Sequence, residues 1–239
     1  MYQIEKLVSA SHVGNNRILT LSAAVDFMQD CSFFQINSEE KLMEEFVEKN
    51  MGMFVISRQM DILDMPKFNE QLIVKTWVWS LNNLFGSRNT VIYDNTNNPK
   101  VISYAMGAFV DLSSGQPAVI SDETINTIRI EEKLEMEYLS RKIKLPDALP
   151  SVQNPIPVLK SHIDLYNHVN NAKYVMIASD LLPVDFHTKR LRVEYKIPAK
   201  YGDVFYPLLY KEDDRIILSL NNQADEAFAI VEFLGKNNL

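Results

Sequence analysis

A single apolar helix followed by a run of strand-like segments occurs twice in this chain of 239 residues, once on each side of a stretch with four prolines in twelve positions. Between Leu21 and Ile36, the residues Leu21, Ala24, Val25, Met28, Cys31 and Phe34 recur at helical spacing, and Thr20 and Ser22 offer caps, which predicts one well-buried helix. A second stretch, 39–50, is acidic and carries Leu42, Met43, Phe46 and Val47 as its apolar stripe, so it belongs on the surface with one face down. From Met53 the texture turns β-branched and aromatic, in runs at 53–63, 71–81, 85–94 and 100–112. The breaks between them are Met65-Pro66-Lys67, Asn82-Asn83, 94–99 and Ser113-Ser114-Gly115, all residues of tight turns, so the runs read as an antiparallel meander.

Residues 121–145 are charged and helix-prone in part, and the prolines of 146–157 predict a stiff connector. Beyond it 158–163 reads as a strand, 170–182 as a helix with Tyr174, Val175, Ile177 and Ala178 apolar, and three or four strands follow. Met60 to Pro66 lies over Arg192 to Pro198, and each stretch runs into a strand of similar texture, 72–79 and 204–210. The expected division is therefore 1–145, a connector at 146–157, and 158–239. A helix hidden by an antiparallel sheet, repeated once, is an α+β plan, and pairing the two sheets edge to edge would remove two exposed edges.

Composition narrows the class. With 46% hydrophobic and 23% charged residues the chain can bury a core, which excludes disorder. A formal net charge of −7 repels polyanions and argues against nucleic acid. The start has no signal-peptide order, and no apolar run approaches the ~18 residues that span a bilayer. Cys31 is the single cysteine, and no Cys/His cluster has zinc-ligand spacing. The expectation is a cytoplasmic protein with no metal, cofactor, membrane or nucleic-acid partner.

The densest polar cluster is His162-Ile163-Asp164-Leu165-Tyr166-Asn167-His168-Val169-Asn170-Asn171, directly before the second apolar helix. Asn170 or Asn171 as an N-cap explains part of it. An Asp and two His within seven residues need another reason. A neutral imidazole beside a helix start can take a proton from water while the unpaired amides there receive an oxyanion, the two needs of acyl transfer to water. Asp164, four residues before His168, is placed to orient the ring.

The stretch Asp164 to Tyr174, with His-Val-Asn-Asn and then Lys-Tyr, resembles the signature of the acyl-acyl carrier protein (acyl-ACP) thioesterases, whose usual form is Asp-x-Asn-x-His-Val-Asn-Asn. Val13-Gly14 before the first helix, Met28-Gln29-Asp30 inside it, and Val193-Glu194-Tyr195 leading to Tyr201-Gly202-Asp203 stand in the order of that family. The resemblance implies two tandem hot-dog units, the first holding most of the acyl chain and the second carrying the catalytic loop. It puts His168 on the catalytic histidine, Asp164 on the acidic residue, and Asn170 and Asn171 on the pair that opens the helix. With them it implies hydrolysis of acyl-ACP to free fatty acid and carrier, in a monomer that is itself a pseudo-dimer, or in a homodimer. Two positions depart from the pattern. Tyr166 stands where the motif has its Asn, with Asn167 one place on, and Pro198 stands where many members have a Glu after the strand tyrosine. Three outcomes stay open there: Asn167 supplies the missing polar group through a shifted loop, the Tyr166 hydroxyl does so, or the site is weak or dead; in a working site the amides at Val169, Asn170 and Asn171 face the oxyanion.

Other residues read as structure: Trp77 and Trp79 on one face of a strand, Cys31 inside an apolar helix, and the methionines Met28, Met51, Met53 and Met60 as filling for a core or a pocket. An acidic carrier needs a local basic patch, either Arg141-Lys142 with Lys144 or Lys189-Arg190 with Arg192. Three rival functions are an acyl-coenzyme A thioesterase with the same loop, a non-catalytic acyl-binding protein, and a hot-dog hydratase.

Overall fold

The computed structural model describes residues 1–235 and divides into two compact units, Met1–Ile56 with Leu63–Tyr138, and Ser57–Ile62 with Leu139–Leu239. The first contains β1 (Tyr2–Leu7), α1 (Leu21–Asn37), α2 (Glu40–Glu48), the first half of β2 (Met51–Ile62), β3 (Gln71–Leu81), β4 (Phe85–Asp94), β5 (Pro99–Asp111) and the short α3 (Asp122–Thr127). Its sheet runs β1-β3-β4-β5-β2. The second contains β6 (Ser151–Val152), β7 (Ile156–Pro157), α4 (Asn171–Ser179), β8 (Thr188–Tyr195), β9 (Val204–Lys211), β10 (Arg215–Asn221) and β11 (Ala227–Gly235). There the Ser57–Ile62 half of β2 pairs β8 antiparallel, and the order continues through β11 and β10 to β9.

Each unit is a sheet around a helix, the expected plan. In α1, Ala24, Val25, Met28 and Cys31 are fully buried, and Thr20 caps the helix by accepting the Ala23 N–H at 3.2 Å. In α4, Ala172, Val175 and Ala178 are fully buried and Asn170 is the N-cap. Tyr174 and Ile177 of α4 pack with Phe205, Leu220, Phe228 and Ala229 of the sheet. Burying side chains of this size contributes about 1.5–3 kcal/mol each, which is what holds so short a helix.

Three expectations change. The first strand, β1, adds an edge that the sequence reading left unassigned; no residue in it is fully buried, so its apolar alternation is weak. The stretch 158–163 is not a strand but a 3-10 turn at Lys160–His162, closed by a side-chain bond that periodicity cannot register. The proline-rich stretch is not only a spacer: β6 and β7 both pair with β9. The stretch 121–145, expected to be helix-prone in part, holds α3 at its start, and residues 129–145 form no regular element. In the first unit Glu132 accepts from Trp77 Nε1 at 2.8 Å, and Lys133 lies over the Trp79 ring. In the second, the Leu139 N–H donates to Gln59 Oε1 at 3.1 Å and the Ile143 N–H to Glu194 Oε2 at 3.0 Å, while Ile143 packs on Ile217 and Ile230.

One basic candidate is neutralised by the same packing. Arg190 forks onto Asp61 with bonds of 2.6 and 2.8 Å. Arg192 and Arg215 both pair with Glu232, a carboxylate only 2% exposed. Arg141, Lys142 and Lys144 stay exposed. No helix among the described residues is long and apolar enough to cross a membrane.

Candidate active site

Residues 158–171 fold as a closed loop held by its own backbone. The His162 N–H donates to the Leu159 carbonyl, the Asp164 N–H to the His168 carbonyl, the Asn167 N–H to the Asp164 carbonyl, and the Asn170 N–H to the His162 carbonyl. A bridge joins Ile163 to Val169, and the Val169 N–H reaches out to the Ala199 carbonyl at 2.8 Å. His162 Nδ1 accepts the Leu159 N–H at 3.2 Å, so one histidine of the cluster closes the turn.

The first unit builds the same loop at residues 8–21. His12 donates to Ser9, Gly14 to Ile18, Arg17 to Gly14 and Thr20 to His12, a bridge joins Val13 to Leu19, and the Leu19 N–H reaches the Pro66 carbonyl. His12 Nδ1 accepts the Ser9 N–H at 3.1 Å, as His162 does for Leu159. Arg17 and Asn167 hold the same left-handed conformation, at φ 61° and 60°. Position by position, Gly14 corresponds to Asp164, Asn16 to Tyr166, Ile18 to His168 and Thr20 to Asn170. The recurrence of Ser-His, at 11–12 and 161–162, was the sequence signal for this match. Ala199, not Pro198, is the counterpart of Pro66, so the sequence alignment of the two halves slips by one residue in that turn.

The second loop therefore adds an acid and a base to a frame that exists without them. Asp164 Oδ1 accepts the Tyr166 N–H at 2.8 Å and the His168 N–H at 3.3 Å, so it holds His168 through the backbone. In the first loop that task falls to Asn16, whose Oδ1 accepts the Ile18 N–H at 3.0 Å. Burial pushes the half-buried His168 ring below the ordinary histidine pKa, Asp164 pulls it up, and Lys200 adds to the lowering. Lys200 was not singled out from sequence, because it lies 32 positions further along the chain in a turn of no distinctive composition. Burial raises the Tyr166 phenol, with Asp164 acting in the same direction, so its hydroxyl stays protonated. Asn167 is exposed and occupies the positive-φ position, where Asn is tolerated.

Among the helix-start amides, Val169 and Asn170 are already engaged by Ala199 and His162. Ala172 donates to Asn170 Oδ1 at 2.8 Å and Lys173 to the Asn170 carbonyl. The Asn171 N–H stands at the first helical position, where the helix itself provides no acceptor. Its carbonyl accepts from the Tyr195 hydroxyl at 3.2 Å. Tyr174, whose pKa burial pushes up to about 12, keeps its hydroxyl protonated and accepts the Ala199 N–H at 2.9 Å. Cys31 is buried, and its thiol is pushed up to about 11, which unfits it as a nucleophile. No group of three or more potential metal ligands gathers among the described residues.

The first unit has a narrow cleft between α1, α2 and the sheet, lined by Ile36, Leu42, Met53, Val78, Leu81 and Phe109, with Gln35, Glu39, Ser87 and Arg88 as polar members.

Residues 1–128 match the family model of the acyl-ACP thioesterase N-terminal domain, and residues 148–226 that of the C-terminal domain. Among solved structures, an acyl-ACP thioesterase from Bacteroides thetaiotaomicron superposes with a TM-score of 0.87 at 19% identity, covering 98% of this chain and 97% of that one. A putative oleoyl thioesterase from Lactobacillus plantarum gives 0.82 at 20% identity, over 97% and 94%. A 12:0-ACP thioesterase from Umbellularia californica gives 0.86 at 15% identity, over 98% and 96%. At these identities the superpositions show a shared fold, the tandem hot-dog. No curated protein sequence matches the chain.

Proposed function

The chain belongs to the acyl-ACP thioesterase family, enzymes that hydrolyse acyl-ACP to a free fatty acid and the carrier, and we propose that the 158–171 loop performs this chemistry with His168 as general base. The observation that carries the reading is the pair of matched loops: on one frame the first has Gly14 and Ile18, the second Asp164 and His168. Burial keeps the His168 ring neutral at pH 7, the form that takes a proton from water. The hydroxide attacks the thioester carbonyl carbon, and the Asn171 N–H with the α4 dipole receives the oxyanion. Collapse breaks the carbon–sulfur bond, and the imidazolium returns its proton to the departing thiolate.

Asp164 is a positioning residue, acting on His168 through its amide. Tyr166 takes over the polar role at the reacting group with a protonated hydroxyl, since the φ of Asn167 already accounts for that residue. The cleft of the first unit takes the acyl chain, as its apolar lining suits. For the acidic carrier the docking group is Arg141, Lys142 and Lys144, because Arg190 and Arg192 are committed to Asp61 and Glu232. Reversing those three charges should raise KM for acyl-ACP and leave acyl-coenzyme A unaffected; equal effects on both would sink the assignment. The buried, single Cys31 suits the reducing cytoplasm, where we place the enzyme.

The deciding experiment is thiol release from acyl-ACP and acyl-coenzyme A of equal chain length, by the natural protein and by His168→Ala. Faster turnover of the carrier thioester, reduced ~10²-fold or more in the variant, is expected. Undiminished turnover would remove His168 from the mechanism. Preference for coenzyme A would reassign the thiol, and acyl binding without turnover would make this an acyl-binding protein.

A further inference from the structure

We propose that Met53, seated over a notch made by two opposed glycines, sets the length of acyl chain that the first-unit cleft accepts. The inference rests on assigning that cleft to the acyl chain. Gly86 and Gly107 face each other directly across the β4–β5 pair. Neither has a positive φ, so the backbone does not call for glycine at either place; what matters is the missing side chain. Two opposed glycines leave a hollow on the sheet where a cross-strand pair normally fills the space. Met53 fills it instead. A Cβ at Gly107 would lie 2.6 Å from Met53 Cε and 3.0 Å from Cγ, and one at Gly86 would also lie 2.6 Å from Cε.

Met53 lines the cleft together with Val78 and Phe109, so the side chain that occupies the notch also forms cleft wall. Methionine is unbranched and turns about three bonds, so its end can trade places between notch and cleft at little cost. The depth open to an acyl chain then depends on where the thioether lies. Deleting it lengthens the cleft; filling the notch drives it into the cleft and shortens the space. Each methylene gained or lost against apolar wall changes affinity roughly fourfold.

The test uses Met53→Ala and Gly107→Ala. Gly107 is chosen over Gly86 because a Cβ at Gly86 would also press on Leu81 at 3.1 Å, whereas at Gly107 the three nearest atoms all belong to Met53. Hydrolysis is measured over a ladder of saturated acyl-ACPs, and binding of the matching free fatty acids by calorimetry. Met53→Ala should favour longer chains over the natural optimum by about tenfold, and Gly107→Ala should move the preference the other way. Coincident length profiles, or two shifts in one direction, overturn the proposal. If Gly107→Ala does not fold, Met53→Ala and the bulkier Met53→Phe, read against each other, carry the same opposed expectation. The calorimetric arm separates the two layers: loss of hydrolysis with the length shifts intact breaks the catalytic reading and leaves this one standing.

Discussion

The loops at 8–21 and 158–171 share their backbone bonds, their left-handed residue and their turn-closing histidine, yet only the second adds a carboxylate and a further imidazole to that frame. His12 and His162 do the same work, each ring accepting an amide three residues back. What differs is Gly14 against Asp164 and Ile18 against His168. The frame is thus a requirement of the fold, because it delivers the chain from the sheet to the capped start of the central helix. The acid and the base sit on positions that the frame leaves free. The comparison also explains the departure at Tyr166. In the first loop Asn16 holds the Ile18 amide, and in the second Asp164 Oδ1 holds the His168 amide, so the turn closes without an Asn at 166.

Copying the first loop onto the second is the strongest way to break this contrast. His168→Ile should fold normally, since Ile18 occupies the same place in the same frame, and should lower turnover ~10²-fold or more. A variant that hydrolyses acyl-ACP at the natural rate would show that the loops differ for some reason other than catalysis. Asp164→Gly, copying Gly14, removes the acceptor for two amides and should lower kcat about tenfold with little change in KM. Asp164→Asn keeps an oxygen acceptor and should recover most of that loss. Equal damage from both variants would mean that the charge, not the amide bonds, is what Asp164 supplies.

The acid limb of the kcat/KM profile sharpens the same point. Burial lowers His168 and outweighs the upward pull of Asp164, so activity should hold from neutral pH to below the ordinary histidine value of 6.5 and fall as the ring protonates. Asp164→Asn removes the upward pull and should move that limb to lower pH. Lys200→Ala removes a downward push and should move it to higher pH. Two limbs moving together would show that His168 is not the titrating base.

Much of this was legible in the sequence where periodicity rules. β3 and β4 have the bounds 71–81 and 85–94 that alternation and turn residues predict, and α1 follows its apolar spacing with Thr20 as cap. Legibility ended where side chains bond to backbone. Val158 to Ile163 looks like a strand because it is apolar at both ends, but His162 folds it back. Asp164 was expected on the imidazole of His168 and is found on its amide. The Val169 and Asn170 amides were expected to face an oxyanion, yet their acceptors are the carbonyls of Ala199 and His162, the first of them 30 positions along the chain. Long-range partners of this kind leave no local trace, and the same holds for Lys200.

The smallest expected effect concerns the histidines that match. His12→Ala and His162→Ala each remove one ring acceptor for an amide and should cost about 1–2 kcal/mol of stability, the second more because His162 is 8% exposed. Burial also lowers the pKa of His162, with Lys173 adding to it. The unfolded state then binds the proton more readily, so this stability is complete above about pH 6.5 and is lost as the pH falls from there toward the lowered folded value. Thermal melts of both variants across that range should show the natural protein approaching His162→Ala on the acid side. Turnover below the melting temperature should stay within about twofold for each, the size of change expected of a residue that closes a turn without touching the reaction. A tenfold fall in turnover for His162→Ala at unchanged melting temperature would put the second histidine inside the chemistry, and the likeness of the two loops would then conceal a functional difference at the one side chain they most visibly share.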